Sequence, residues 1–129
     1  MNPLPASSLP ISPYDSKLGL QVDRVSPELA TGSAPVEDNT QPGGLWHGGA
    51  SATLIETLGS LAASQHAGSR QAVGTELNVS HLRAVRAGRV HGTATALHLG
   101  RTSAVYQVAL TDDTGRLIAT GRVSCRILD

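Results

Sequence analysis

A single change of hydrophobic period limits what this chain can fold into. From Ala50 to Gln65 the apolar residues Leu54, Leu58, Leu61 and Ala62 recur at helical spacing. Nearly everywhere else they alternate at every second position, the period of a strand with one covered face. One helix and a set of strands must therefore share one core. The other side of the helix carries Gly49, Thr53, Glu56, Ser60 and Ser64, so a polar seam runs beside the apolar one. Gly68 is placed to end it.

Ahead of the helix, strands are predicted over Leu18–Val25 and Leu29–Val36. After it come Val73–Arg83, with a bulge expected near Leu82, and a strand alternating through Val90, Gly92, Ala94 and Ala96. A third alternates through Ala104, Tyr106, Val108 and Leu110. The last puts Leu117, Ala119, Gly121, Val123, Cys125 and Ile127 on one face. Ala87-Gly88, Leu99-Gly100 and Asp112-Asp113-Thr114-Gly115 supply the turns. The expected class is α+β: a curved antiparallel sheet of about five to six strands wrapped on one long central helix. Residues 17–129 read as one domain, and the Pro- and Ser-rich residues 1–16 as a flexible leader.

A chain of 129 residues can bury roughly two-thirds of its extended surface. It has no Phe, one Trp and two Tyr, so the core must come from Leu, Val, Ile and Ala. Ten basic and ten acidic side chains cancel, which leaves no long-range field to attract nucleic acid or an anionic membrane. No apolar stretch is long enough to span a bilayer, and Met1–Pro13 lacks the charged and apolar regions of an export signal. A cytoplasmic protein is expected. The lone Cys125 excludes an internal disulfide, and its place on the apolar parity marks it as core. His81, His91 and His98 fit no metal-ligand spacing, so no metal is expected.

Between the second strand and the helix, Thr40-Gln41-Pro42-Gly43-Gly44-Leu45-Trp46-His47-Gly48-Gly49 holds too many breakers for regular structure. This loop delivers Gly48 and Gly49 to the helix start. Free N–H groups and the positive end of the helix dipole favour a developing negative charge there. Glu56 follows on the polar seam, with Ser60 one turn beyond. A carboxylate on so apolar a helix is costly to bury unpaired. Together, an oxyanion site and a nucleophile or base suit attack on a carbonyl carbon. Plain structure fits the same residues: Gly-Gly before a helix is commonly a turn, and a helical Glu is commonly solvated. His47 can simply pack on Trp46, and Arg83, Arg86 and Arg89 can solvate a strand end. His-Gly-Gly does not signal a lipase-like hydrolase, because Gly49-Ala50-Ser51-Ala52-Thr53 lacks the closing glycine of the nucleophile elbow.

The run from Gln41 through Ser51, continued by Glu56-Thr57-Leu58-Gly59-Ser60, resembles the signature of the hotdog-fold acyl-CoA thioesterases. The branch is the one that contains the Arthrobacter-type 4-hydroxybenzoyl-CoA, the 1,4-dihydroxy-2-naphthoyl-CoA and the phenylacetate-pathway thioesterases. The likeness continues through Val73–Arg83 and Leu97–Arg101 and spans roughly Leu18 to Leu128. It implies that Glu56 is the nucleophile or the general base toward water, and that the Gly48 N–H polarises the thioester carbonyl. Gln41 would hydrogen-bond near that carbonyl or position water, His47 would shape the same corner, and Ser60 would orient the acyl group or the water. His81, Arg83, His98, Gly100 and Arg101 stand where such enzymes hold CoA, and the planar arginine fork suits phosphate oxygens. Trp46 departs from the smaller aliphatic residue of the naphthoyl-CoA relatives, which bears on the shape of the acyl pocket.

The activity implied is hydrolysis of an aromatic acyl-CoA, of hydroxybenzoyl, dihydroxynaphthoyl or phenylacetyl type, to the free acid and CoA. No cofactor is implied, since CoA belongs to the substrate. A homodimer joined edge to edge is expected, and a dimer-of-dimers tetramer beyond it. Gly48 and Glu56 stand eight residues apart, about 12 Å along a helix. One carbonyl cannot touch both in the same chain, so the active site should be shared between protomers. A hotdog dehydratase would share the fold but place its His and acid differently. A non-catalytic binder of CoA or of acyl-carrier-protein thioesters would gain nothing from a carboxylate beside a carbonyl site.

Overall fold

The structure, a computed structural model, describes residues 11–129 and the two-residue strand Leu4–Pro5. In chain order the elements are β1 (Leu4–Pro5), α1 (Pro13–Leu18), β2 (Gln21–Val25), β3 (Leu29–Pro35) and α2 (Gly48–Ala67). They continue with β4 (Gln71–His81), β5 (Arg89–Leu99), β6 (Ser103–Thr111) and β7 (Leu117–Leu128). One antiparallel sheet runs β1-β2-β3-β5-β6-β7-β4. Six long strands around one long helix match the expected architecture. α2 carries the chain from β3 in one half of the sheet to β4 at the far edge.

Leu54, Leu58 and Ala62 of the apolar stripe of α2 are buried, joined by Ile55 and Ala63, and pack with Val90, Ala94, Tyr106, Val108 and Val123, whereas Leu61 is half-buried at the groove of Glu56. Each fully buried Leu or Ile contributes about 1.5–3 kcal/mol. A core without Phe fits because helix and sheet approach closely. A Cβ on Gly59 would collide with Val123, and one on Gly92 would stand 2.6 Å from Leu58 Cδ1. Tyr106 is the large central side chain, and its hydroxyl donates to the Pro27 carbonyl at 2.7 Å.

Two local expectations change. Residues 13–18 form a short helix, where the sequence reading had a leader to residue 16 and a strand from Leu18. Ser12 caps it by accepting the Asp15 N–H at 3.1 Å, Pro13 opens it, and Gly19 closes it at φ 76°. Residues 1–10 of the leader, apart from β1, lie outside the described residues. In β7 it is Ile118 that faces the core, and Leu117 is exposed. The cause is a register shift where Thr111 pairs with Leu117. The bulge near Leu82 is present, since the Leu82 and Arg83 N–H groups both donate to the Ile118 carbonyl. A second irregularity lies between Gly74 and Glu76. β4 closes the sheet, and its outer edge is unpaired among the described residues. No helix among those residues is long and apolar enough to cross a membrane.

Candidate active site

The helix start is built by its loop. The Gln41 N–H donates to the Leu45 carbonyl at 2.8 Å, and the Gly44 N–H returns to the Gln41 carbonyl at 2.9 Å, with Gly44 at φ 83°. Trp46 is buried, and its indole N–H donates to Ser51 Oγ at 2.7 Å. It anchors the loop under the helix, so the departure it represents is a packing feature first. His47 is the N-cap, and its Nδ1 accepts the Gly49 N–H at 2.8 Å. In the neutral ring the proton then sits on Nε2. With Gly49 capped, the Gly48 N–H has no acceptor among the described residues and remains available at the positive end of the helix.

His81, at the end of β4, lies directly over Gly48: a Cβ there would stand 2.8 Å from the ring Cε1. Gln41, Trp46, Gly48, His81 and Arg83 share one hollow of about 310 Å³. Glu56 and Ser60 open into a different groove of about 370 Å³, bounded by Tyr14 and Asp15 from α1 and by Thr53 and Ser64. His47 faces a third hollow with Gly49 and Thr53. His98, Gly100 and Arg101 gather at the other end of α2. There the Gly100 carbonyl meets His66 Nε2 at 2.6 Å, and Arg70 Nη1 donates to the Arg101 carbonyl at 2.8 Å. The ten residues singled out in the sequence thus fall into separate groups within one chain. Gln41, Gly48, His81 and Arg83 come together; Glu56 with Ser60, His47, and the His98–Arg101 cluster stand apart from them.

Glu56 is exposed and makes no ion pair among the described residues. Its Oε2 rests above Gly74 of β4, where an added Cβ would come within 2.9 Å. Beneath lies Cys125, opposite Gly74 in the register. Burial pushes its thiol up and the nearby Glu56 charge adds to this, while Ser60 acts the other way. A buried thiol held protonated is core, not nucleophile. No group of three or more His, Cys, Asp or Glu among the described residues is arranged to hold a metal.

Gly74 and α1 are the parts of this site that the sequence reading missed. Ser12-Pro13-Tyr14-Asp15 carried the signal, being a capping box with proline at the first helical position. Asp15 is buried and accepts from Thr57 Oγ1 at 2.8 Å, fixing α1 to the polar seam of α2.

Comparison with known proteins points to one family. Residues 43–119 match the family model described as the thioesterase superfamily. The proofreading thioesterase EntH of Cronobacter sakazakii is 45% identical over 113 residues, covering 86% of this chain and 82% of that one. The 1,4-dihydroxy-2-naphthoyl-CoA hydrolase of Escherichia coli is 38% identical over 113 residues, with 86% and 83% covered. A solved thioesterase structure from Staphylococcus aureus superposes with a TM-score of 0.87 at 29% identity, covering 92% of this chain and all of that one.

Proposed function

Because the chain belongs to the thioesterase superfamily, its chemistry is thioester hydrolysis, and we propose that it cleaves an aromatic acyl-CoA at a site shared between two protomers. The observation that carries this reading is the separation of the two halves. Glu56 and the Gly48 N–H open into different hollows of one protomer. Pairing two α2 helices antiparallel across the free β4 edges would bring the Gly48 of one chain opposite the Glu56 of the other. The thioester oxygen would accept the Gly48 N–H, with the helix dipole stabilising the charge that develops on it. Glu56 would attack the carbonyl carbon or activate the water that does. The C–S bond then breaks and CoA leaves as a thiol, its sulfur taking a proton that comes from the water consumed; where Glu56 itself attacks, that water then cleaves the mixed anhydride to the free acid and the carboxylate. Gln41 would hold the carbonyl corner, His47 would fix the helix start by capping the Gly49 N–H, and Ser60 would hold the acyl group or water.

The same pairing gives the remaining groups a use. His66, which holds Gly100, lies ten residues beyond Glu56, about 15 Å along the helix axis. A pantetheine arm can span that distance, so His98 and Arg101 would meet the phosphate end of CoA. Arg83 would reach toward CoA from the partner, while His81 lies over the Gly48 that holds the carbonyl. The aromatic preference is supported by the Escherichia coli relative, whose name gives a naphthoyl ester as its substrate. Further support comes from the Staphylococcus aureus thioesterase, crystallised as Gln-to-Ala and Glu-to-Ala variants whose sites lie fifteen residues apart. Gln41 and Glu56 have the same separation.

Thiol release from a panel of acyl-CoAs tests the reading. Benzoyl- and naphthoyl-type esters should be turned over faster than long straight-chain ones, and Glu56→Ala should lose nearly all kcat while retaining substrate affinity. Preference for palmitoyl-CoA over every aryl ester would refute the substrate class. Near-normal kcat in Glu56→Ala would refute the role of the carboxylate.

A further inference from the structure

We propose that Tyr14 sets the acyl specificity of this enzyme, its ring forming the wall of the Glu56 groove against which an aryl group stacks. The inference rests on Glu56 being the catalytic carboxylate and extends that reading to a residue ahead of the matched family region. The matched family region starts at residue 43, whereas α1 ends at Leu18. The wall therefore lies ahead of the region that the family model matches.

α1 is fastened to α2 through two threonines one turn apart on the polar seam, on either side of Glu56. Asp15 accepts from Thr57 at 2.8 Å, and Thr53 hydrogen-bonds the Tyr14 hydroxyl at 3.3 Å. The two neighbours in α1 are treated oppositely: Asp15 is 8% exposed and Tyr14 65%. One side chain anchors the helix, and the next is left as an open surface. Tyr14 lines the groove of Glu56 and also the hollow of His47 and Gly49. It thus stands on the boundary between the carboxylate and the start of α2.

Composition narrows the assignment. The chain has three aromatic residues and no Phe. Trp46 and Tyr106 are buried at 7% and 0% exposure, so Tyr14 is the one ring whose face remains open to a planar acyl group. Such a ring favours offset or edge-to-face packing on another aromatic system. A straight short acyl group that ends near the carbonyl gains nothing from it.

The test compares kcat/KM for benzoyl-CoA and acetyl-CoA in the full-length enzyme and in Tyr14→Ala and Tyr14→Phe. A ratio taken within one protein does not depend on the fraction folded. Tyr14→Ala should lower the benzoyl-to-acetyl ratio about tenfold, mainly through KM for benzoyl-CoA. Tyr14→Phe keeps the ring and should stay within about twofold of wild type. An unchanged ratio in Tyr14→Ala, or equal losses on both esters, overturns the inference. A wild type that prefers palmitoyl-CoA to benzoyl-CoA contradicts the aromatic reading instead. In that case the ratio in Tyr14→Ala still decides whether the ring meets the acyl group.

Discussion

Gly74→Ala separates positioning of Glu56, the proposed catalytic carboxylate, from stability. A Cβ at this position would stand 2.9 Å from Glu56 Oε2, closer than real Cβ contacts come, so something must move. What moves is the end of a flexible, exposed side chain, and the fold absorbs the change cheaply. Gly74 does not have positive φ, so alanine is compatible with the backbone. It should stabilise by about 0.4–1 kcal/mol through lost freedom of the unfolded chain. The cost falls on the reaction. Restoring an ordinary contact displaces the carboxylate by several tenths of an ångström. Catalytic groups tolerate about 0.5 Å, and a misplacement of about 1 Å costs on the order of a hundredfold. The expected loss in kcat is therefore about tenfold, with KM nearly unchanged. Steady-state thiol release together with thermal unfolding reads both quantities, and sedimentation of both proteins checks that the oligomeric state is unaltered, since the outer edge of β4 is unpaired among the described residues. A kcat within about twofold of wild type, in a folded protein, would show that Glu56 does not act from where it lies over Gly74.

Two further outcomes follow from the same geometry. Arg83→Ala and Arg101→Ala should raise KM for CoA esters and have little effect on short thioesters lacking the nucleotide, since charge-assisted contacts contribute about 1.5–3 kcal/mol when well placed; equal losses on both substrate types would assign these arginines to the fold. In the β6–β7 turn, Thr114 Oγ1 at 2.7 Å and then Arg116 hold the Asp112 carboxyl well below the usual carboxylate range, against the effect of its burial. Its contribution to stability is present above the unfolded carboxylate pKa, about 4, and is lost as pH falls below that value; thermal unfolding of Asp112→Asn should accordingly show a flatter decline below pH about 4 than wild type, and identical acid profiles would contradict this.

The fold was legible where period and turn chemistry agreed. The stripe Leu54–Leu58–Ala62 fixed the helix, and Gly88 and Gly115 stand at positive φ in the turns expected of them. The sequence pattern misled where a tertiary constraint overrode alternation. Leu117 keeps the apolar parity of β7 but loses the core to Ile118 through the register shift at Thr111. α1 was hidden by composition, because prolines and serines that signal a leader also cap and open a short helix. At the site, the loop and the polar seam could be read directly from residue types. That Gly74 receives the carboxylate could not, because glycine in a strand has the same appearance whether it accommodates a bulge or a neighbour. Nor does spacing along the chain reveal that Gly48 and Glu56 open into different hollows, although the eight-residue gap between them anticipates it.

Complementation between two inactive chains tests the shared site most directly. Glu56→Ala removes the carboxylate, and Gly48→Pro removes the N–H that would hold the thioester oxygen. Each variant alone should be nearly inactive. In a two-chain site, a mixed dimer contains one site with both defects and one with neither. Coexpression with separate tags and isolation of the doubly tagged species should therefore recover about half the wild-type kcat per dimer on benzoyl-CoA. Full inactivity of a folded, doubly tagged dimer would mean that each protomer carries a complete site, contrary to the antiparallel pairing of α2 helices.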